Sequence, residues 1–322
     1  MSNPDFGFST TSEDVATLYS SSIKDKIILI TGVSPNGLGL YTAKVLASHS
    51  PALLILAARS ASTLKAAESE IKAASPTCPI RLLELDIGSI STVRSAASKV
   101  LSWTDVPKVD ILINNAGIMA CPFEKSADGI ERQLATNHVG PWLFTNLLVP
   151  RLRAAGSARV VFLSSEGHLY GPVRFDDHNF DDGKAYDADV AYGQSKTANI
   201  LTAVALGERL KGKGVQAFSV HPGLVFTNLS RFMTPEYLKA KGFMDEEGNL
   251  TISIPPKTHA QGTATTMVAA LDPSTVERAG AYLADCQVVE VGERLAAYAQ
   301  DKENAEKLWV LTEKLVGERF EY

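Results

Sequence analysis

"KIILITGVSPNGLGLYTAKVLASH", residues 26–49, decides the fold. The apolar run Ile27–Ile30 is uninterrupted and too short for a helix, which suits a strand buried on both faces. It runs directly into Gly32, Gly37 and Gly39, and then into a segment whose apolar residues recur with helical spacing. Glycines at such a turn allow the backbone a tight reversal and a close approach to a ligand. The helix that follows offers unpaired N–H groups and the positive end of its dipole to a phosphate. Glycine-rich turns are common. This one carries weight because it closes the first strand of a strand–helix–strand unit.

The same alternation continues outward. Strand-like runs recur at 52–58, 80–85, 109–114, 159–164, 215–220 and 280–283, and between the first six lie helical patterns such as "STVRSAASKVLSW" and "SKTANILTAVALGERL". Continuous apolar strands alternating with helices predict an α/β fold: a Rossmann-type, doubly wound parallel sheet of about seven strands with helices on both faces. No repeat or linker divides it. We expect an N-terminal arm over 1–22 and a single domain over 23–322. The irregular stretch 224–256, with Pro235, Pro255 and Pro256, follows a late strand and is expected to lie as a lid at the carboxyl edge of the sheet, where ligands bind.

Composition narrows the class. The chain has 322 residues, 45% of them hydrophobic, with 31 basic and 36 acidic side chains. A net charge of −5 gives no footprint for nucleic acid or an anionic membrane. Cys78, Cys121 and Cys286 are scattered and lack metal-ligand spacing, so no metal is expected and a reducing compartment is. The first residues carry neither a basic nor an apolar leader region, and no apolar run approaches the roughly 20 residues that span a bilayer. A soluble, cytoplasmic protein is expected.

Two further stretches point to chemistry. The second strand ends "LILAARS", with Ala57, Ala58, Arg59 and Ser60 where a dinucleotide fold that binds a free 2′-hydroxyl would place an acid. A guanidinium there can fork onto a phosphate, which favours NADP over NAD. Asp86 and Ile87, after the third strand, are placed for the adenine side. In "AYGQSK", residues 191–196, Tyr192 and Lys196 stand four apart and should project from one helix face. A phenol with a reference pKa near 10 is a sluggish acid–base at neutral pH. A neighbouring ammonium, with the charge of oxidised nicotinamide, should lower that pKa.

"TGVSPNGLG" (31–39), "NNAG" (114–117), "FLSSEGH" (162–168), "YGQSK" (192–196) and "HPGLVFT" (221–227) occur in the order seen in the short-chain dehydrogenase/reductases, and the chain resembles that family from about residue 23 onward. The stretch "FDDHNFDDGKAYDADVAYGQSKTANIL" is similar to the retinol-dehydrogenase and WW-domain-oxidoreductase-like branch. The resemblance implies that Tyr192 is the general acid or base, that Lys196 also binds the nicotinamide ribose, that Ser165 holds the substrate oxygen, and that Asn137 supports a proton-relay water. It implies cofactor contacts from Gly32, Ser34, Asn36, Gly37, Leu38 and Gly39 in the loop, and from Asn114, Ala116 and Gly117 on the adenosine half. Pro222, Gly223, Val225 and Thr227 would stand at the nicotinamide. The loop is one residue longer than the family's TGxxxGxG, with Pro35 and Asn36 inside it. Asparagine tolerates left-handed backbone, so the turn can still close.

The expected activity is NADP-dependent interconversion of a ketone or aldehyde with an alcohol on a small, hydrophobic substrate. Phe232, Met233, Phe243 and Met244 would furnish an adaptable apolar lid. A carbon–carbon double-bond reductase and a non-catalytic NADP-binding scaffold are the alternatives. Glu166 and His168 are expected to face solvent, His221 to be structural, and Tyr170 and Tyr186 to be bystanders. Helices near 129–154 and 191–212 offer a surface for a homodimer or homotetramer.

Overall fold

The computed structural model describes residues 3–249, 251 and 255–322. Part of the expected lid, residues 250 and 252–254, therefore lies outside the described residues. The strands are β1 Ile27–Thr31, β2 Leu53–Ala58, β3 Ile80–Glu84, β4 Ile111–Asn114, β5 Ala158–Leu163, β6 Val215–His221, β7 Tyr282–Ala284 and β8 Gln287–Val288. They form one sheet in the order β3-β2-β1-β4-β5-β6-β7-β8. All neighbours are parallel except β7 and β8. The eighth strand, absent from the sequence expectation, is a two-residue return. Asp285 and Cys286 make the reversal at φ +48° and +63°.

Side chains of β1 alternate between two cores. Ile27 and Leu29 face a cluster with Leu112, Val160, Phe162 and Trp142, whereas Ile28 and Ile30 face one with Ile111, Val161, Phe218 and Met267. Burial on both faces is why the strand reads as a continuous apolar run; fully burying each such side chain contributes about 1.5–3 kcal/mol. The strand order reverses between β1 and its neighbours β2 and β4, opening a crevice at their carboxyl ends.

Both termini pack onto this sheet. The helix Ser12–Leu18 starts with a capping box of Thr11 and Asp14. Its Val15 and Ala16 join the core cluster of Ile28 and Ile30. The C-terminal helix Lys302–Val316 lies across the helices Ala188–Arg209 and Gly140–Arg153. Trp309 stacks edge-on against Trp142 with ring centroids 4.9 Å apart, Arg209 pairs with Glu306 at 2.7 Å, and the Tyr322 hydroxyl donates to Asn146 Oδ1 at 2.8 Å. The helices expected to meet a second copy are thus covered by the chain's own end. Among the described residues, no helix is long and apolar enough to cross a membrane.

Candidate active site

The glycine loop is shaped by close contacts. Gly32 sits at φ +76°, and a Cβ there would fall 2.7 Å from Ala116 Cα. At Gly39 it would fall 2.4 Å from Asn115 Nδ2. Neither site admits another residue. Asn36 takes the left-handed turn at φ +56°. Gly37 caps the helix Leu38–Ala47 with no side chain of its own on the first N–H groups. Two residues that the sequence reading passed over hold the loop in place. Asn115 Nδ2 donates to Thr31 O at 2.9 Å and Gly32 O at 3.0 Å, while Thr31 Oγ1 accepts from the N–H groups of Asn115 and Ala116, both at 3.1 Å. The signal lay in "NNAG": its second asparagine follows directly on the end of the strand beside β1.

A cleft of about 1450 Å³ opens above these strand ends. Gly32, Ser34, Gly37, Leu38, Arg59, Asp86, Ile87, Ala116 and Gly117 line one part of it. Ser165, Tyr192, Lys196, Pro222, Gly223, Val225 and Thr227 line another. Four of the expected residues are not on its wall. Asn36 is an exposed residue of the loop and Gly39 is buried in the first turn of the helix Leu38–Ala47. Asn114 is buried with Nδ2 donating to Thr145 Oγ1 at 2.9 Å. Asn137 lies in a π-helical turn, Ala135–Val139, where its side chain accepts from Ile118 N at 2.8 Å and donates to Ile118 O and Ser195 Oγ, both at 2.9 Å. It thereby fixes the strand exit to the helix that carries Tyr192.

That helix, Ala188–Arg209, is capped by Asp187, whose carboxylate accepts from Asp189 N and Val190 N. Every residue from Ala191 to Gly207 is buried, so this stretch carries no solvent face, and its polar side chains Gln194, Ser195, Lys196, Thr197, Asn199 and Thr202 are buried with the rest. Tyr192 and Lys196 project from one face one turn apart, with Nζ 5.3 Å from the phenol ring centroid. Ser165 lines the same cleft wall, its Oγ accepting from Gly167 N at 3.0 Å. Gly167 lets the ring approach the loop, since a Cβ there would sit 2.8 Å from Tyr192 Cε1. Lys196 Nζ donates to Leu163 O at 2.8 Å.

The electrostatics run against the sequence expectation. Burial pushes the Tyr192 phenol up to about 12, against a smaller downward pull from the Ser165 hydrogen bond. Burial also pushes the Lys196 ammonium down to about 7. Desolvation of a phenolate on a fully packed helix outweighs a neighbour that is itself drawn toward neutrality. The chain alone therefore keeps Tyr192 protonated.

Behind the site, His168 corrects another expectation. It is wholly buried rather than solvent-facing, with Nδ1 2.7 Å from Ser165 O and Nε2 accepting from Ala296 N at 3.3 Å. Glu166 is not free in solvent either, since Arg294 pairs with it at 2.9 Å. His221 Nδ1 accepts from Glu166 N at 3.2 Å, and burial pushes His221 down to about 4, so it is a neutral brace. Tyr186 donates to Cys121 O at 2.8 Å. At the mouth of the cleft, Leu169, Tyr170 and Phe226 are exposed, and Met233, Phe243 and Met244 line the same opening.

A nucleotide-sized cleft at the switch point, with a glycine cradle at one part and a Ser–Tyr–Lys set at another, defines a dinucleotide-dependent oxidoreductase architecture. The chain belongs to the short-chain dehydrogenase family, in its retinol-dehydrogenase-like branch. Residues 26–176 match the family model described as short chain dehydrogenase. Retinol dehydrogenase 12 of Mus musculus is 36% identical over 299 residues, 93% of this chain and 89% of that one. The short-chain dehydrogenase TIC 32 A, chloroplastic, of Brassica napus is 39% identical over 323 residues, 97% and 94% of the two chains. Among solved structures, an uncharacterised protein from Mycobacterium Paratuberculosis superposes with a TM-score of 0.71 at 30% identity, covering 93% of this chain and 96% of that one.

Proposed function

We propose that the protein is an NADP-dependent oxidoreductase that interconverts a ketone or aldehyde with an alcohol on a small hydrophobic substrate. The observation that carries this reading is the set on one cleft wall: Ser165, Tyr192 and Lys196 together, with the Lys196 Nζ 5.3 Å from the centroid of the phenol ring.

The residues fit a dinucleotide. The cradle at Gly32, Gly37 and Gly39 leaves room for a pyrophosphate and no room for a Cβ, and the uncapped helix Leu38–Ala47 supplies donors and dipole. Ser34 and Leu38 extend that cradle. Asp86 and Ile87 stand for the adenine side, with Ala116 and Gly117 beneath the adenosine half. Asn36, Gly39 and Asn114 shape the loop and strand end rather than line the cleft. Pro222 and Gly223 would keep bulk away from the nicotinamide, Val225 and Thr227 would hold its carboxamide, and Lys196 its ribose. Arg59 has no carboxylate partner among the described residues, which favours a 2′-phosphate there. When bound, the nicotinamide gives or takes the hydride.

Ser165 holds the substrate oxygen against Tyr192. In reduction the phenol gives its proton to that oxygen as charge develops on it; in oxidation the phenolate removes the hydroxyl proton. A phenol held near 12 by burial stays protonated at neutral pH, so the form that reduction needs is the one present. Asn137 holds the Tyr192 helix in register with Ile118. The apolar mouth supports a hydrophobic substrate, as does the kinship with a protein named for retinol, itself an apolar alcohol. A pure NADP-binding scaffold would have no use for the acid–base set.

The test is NADPH consumption across a panel of hydrophobic ketones, aldehydes and enones, with products identified. Alcohol products are expected. Saturation of the enone alone would favour the double-bond reductase, and no consumption with any member would contradict the reading.

A further inference from the structure

Three guanidiniums line one cleft: Arg59 after β2, Arg132 at the start of a short helix, and Arg231 in the 3-10 turn Asn228–Phe232 that opens the lid. Arg132 is ion-paired with Glu124. Among the described residues, neither Arg59 nor Arg231 has a carboxylate partner. Arg231 donates to Asn228 O at 3.0 Å and lies 4.8 Å over the Phe232 ring. Partial desolvation, then the charge of Arg59, then that of Arg132, push its guanidinium below the usual range. Arg59 and Arg231, two like charges on one cleft without a carboxylate partner among the described residues, are unfavourable by themselves, and an anion placed between them reverses the sign.

The turn that carries Arg231 is fastened to the cofactor loop. Asn228 Nδ2 donates to Pro35 O at 3.1 Å, and on the far side of the lid His259 Nε2 lies 3.1 Å from Asn36 O. Pro35 and Asn36 are the residues inside the lengthened glycine loop. Thr227 caps the turn, its Oγ1 accepting from Leu229 N at 3.2 Å. The extra loop length thus gives the lid a fixed seat above the cradle, and Arg231 rides on it.

We propose that Arg231 and Arg59 form a two-sided clamp for the phosphate monoester on the adenosine ribose of NADP, so that the first turn of the lid belongs to the cofactor site as well as to the substrate side. The proposal rests on the NADP reading above. The pyrophosphate already has its donors at the helix Leu38–Ala47, whereas the monoester, a dianion near neutral pH, matches two forked cations.

The experiment is calorimetric titration of the full chain with adenosine 2′,5′-bisphosphate and with adenosine 5′-monophosphate. Both probes lack nicotinamide, so the readout does not depend on turnover. Wild type should bind the bisphosphate more tightly. Arg231→Ala and Arg59→Ala should each weaken the bisphosphate by about 10-fold or more, the scale of one charge-assisted contact, and leave the monophosphate unchanged. The monophosphate also reports that each variant is folded. If Arg59→Ala weakens the bisphosphate and Arg231→Ala does not, the clamp is overturned and the NADP reading stands. Equal weakening of both probes in Arg231→Ala also overturns the clamp, because the residue would then serve the shared 5′-phosphate. Equal binding of the two probes by wild type would sink the NADP reading itself.

Discussion

Tyr192 keeps its proton because of where it sits. Its helix is buried on every side, so the phenolate is penalised and the pKa rises to about 12. Oxidation needs the phenolate and reduction the phenol. With chemistry rate-limiting, alcohol oxidation should therefore climb by up to about tenfold per pH unit from neutrality toward the tyrosine pKa, while carbonyl reduction stays level over the same range. An oxidation rate independent of pH between 7 and 10 would count against Tyr192 as the base. The Tyr–Lys pair was legible in the sequence because four residues make one helical turn. The direction of the pKa shift was not, because burial is a property of what packs around the helix. The roles of Thr31 and Asn115 were harder to read for a related reason: their bonds join positions 84 apart in the chain.

At the scale of elements, the strand–loop–helix of residues 27–47 behaves as its apolar run and glycines require. Two departures have local causes. Strand β8 spans two residues, too few for any periodicity to announce it. The π turn Ala135–Val139 has the same apolar pattern as an α-helix and differs only in which carbonyl each N–H finds. The loop itself depends on Asn115, which ties two carbonyls at the end of β1 to the end of β4. Removing that side chain strands two acceptors. Asn115→Ala should lower unfolding stability by about 1–3 kcal/mol, read by urea denaturation, and weaken cofactor binding in parallel. Unchanged stability and affinity would mean that the glycines shape the loop without the clamp.

At the scale of the molecule, the sequence implied a sheet with helices on both faces and assigned no element after residue 283; the C-terminal segment forms the helix Lys302–Val316. In the structure it lies across the helices Gly140–Arg153 and Ala188–Arg209, with the Trp142–Trp309 contact at its centre and His138 2.9 Å from Thr312 beneath it. Those were the helices expected to meet another copy. A face already covered by some fifteen residues of the same chain has little apolar surface left to bury. Light scattering at micromolar concentration should give the mass of one chain. A stable dimer would show that another face associates or that this helix moves aside.

The most direct test of the assigned chemistry is a paired measurement on Tyr192→Phe, which keeps the ring and removes the hydroxyl. NADPH affinity, read by fluorescence titration, should remain near that of the wild type, while turnover on the best carbonyl substrate falls by about 10²–10⁴-fold. Full turnover by the variant at unchanged NADPH affinity would contradict the account.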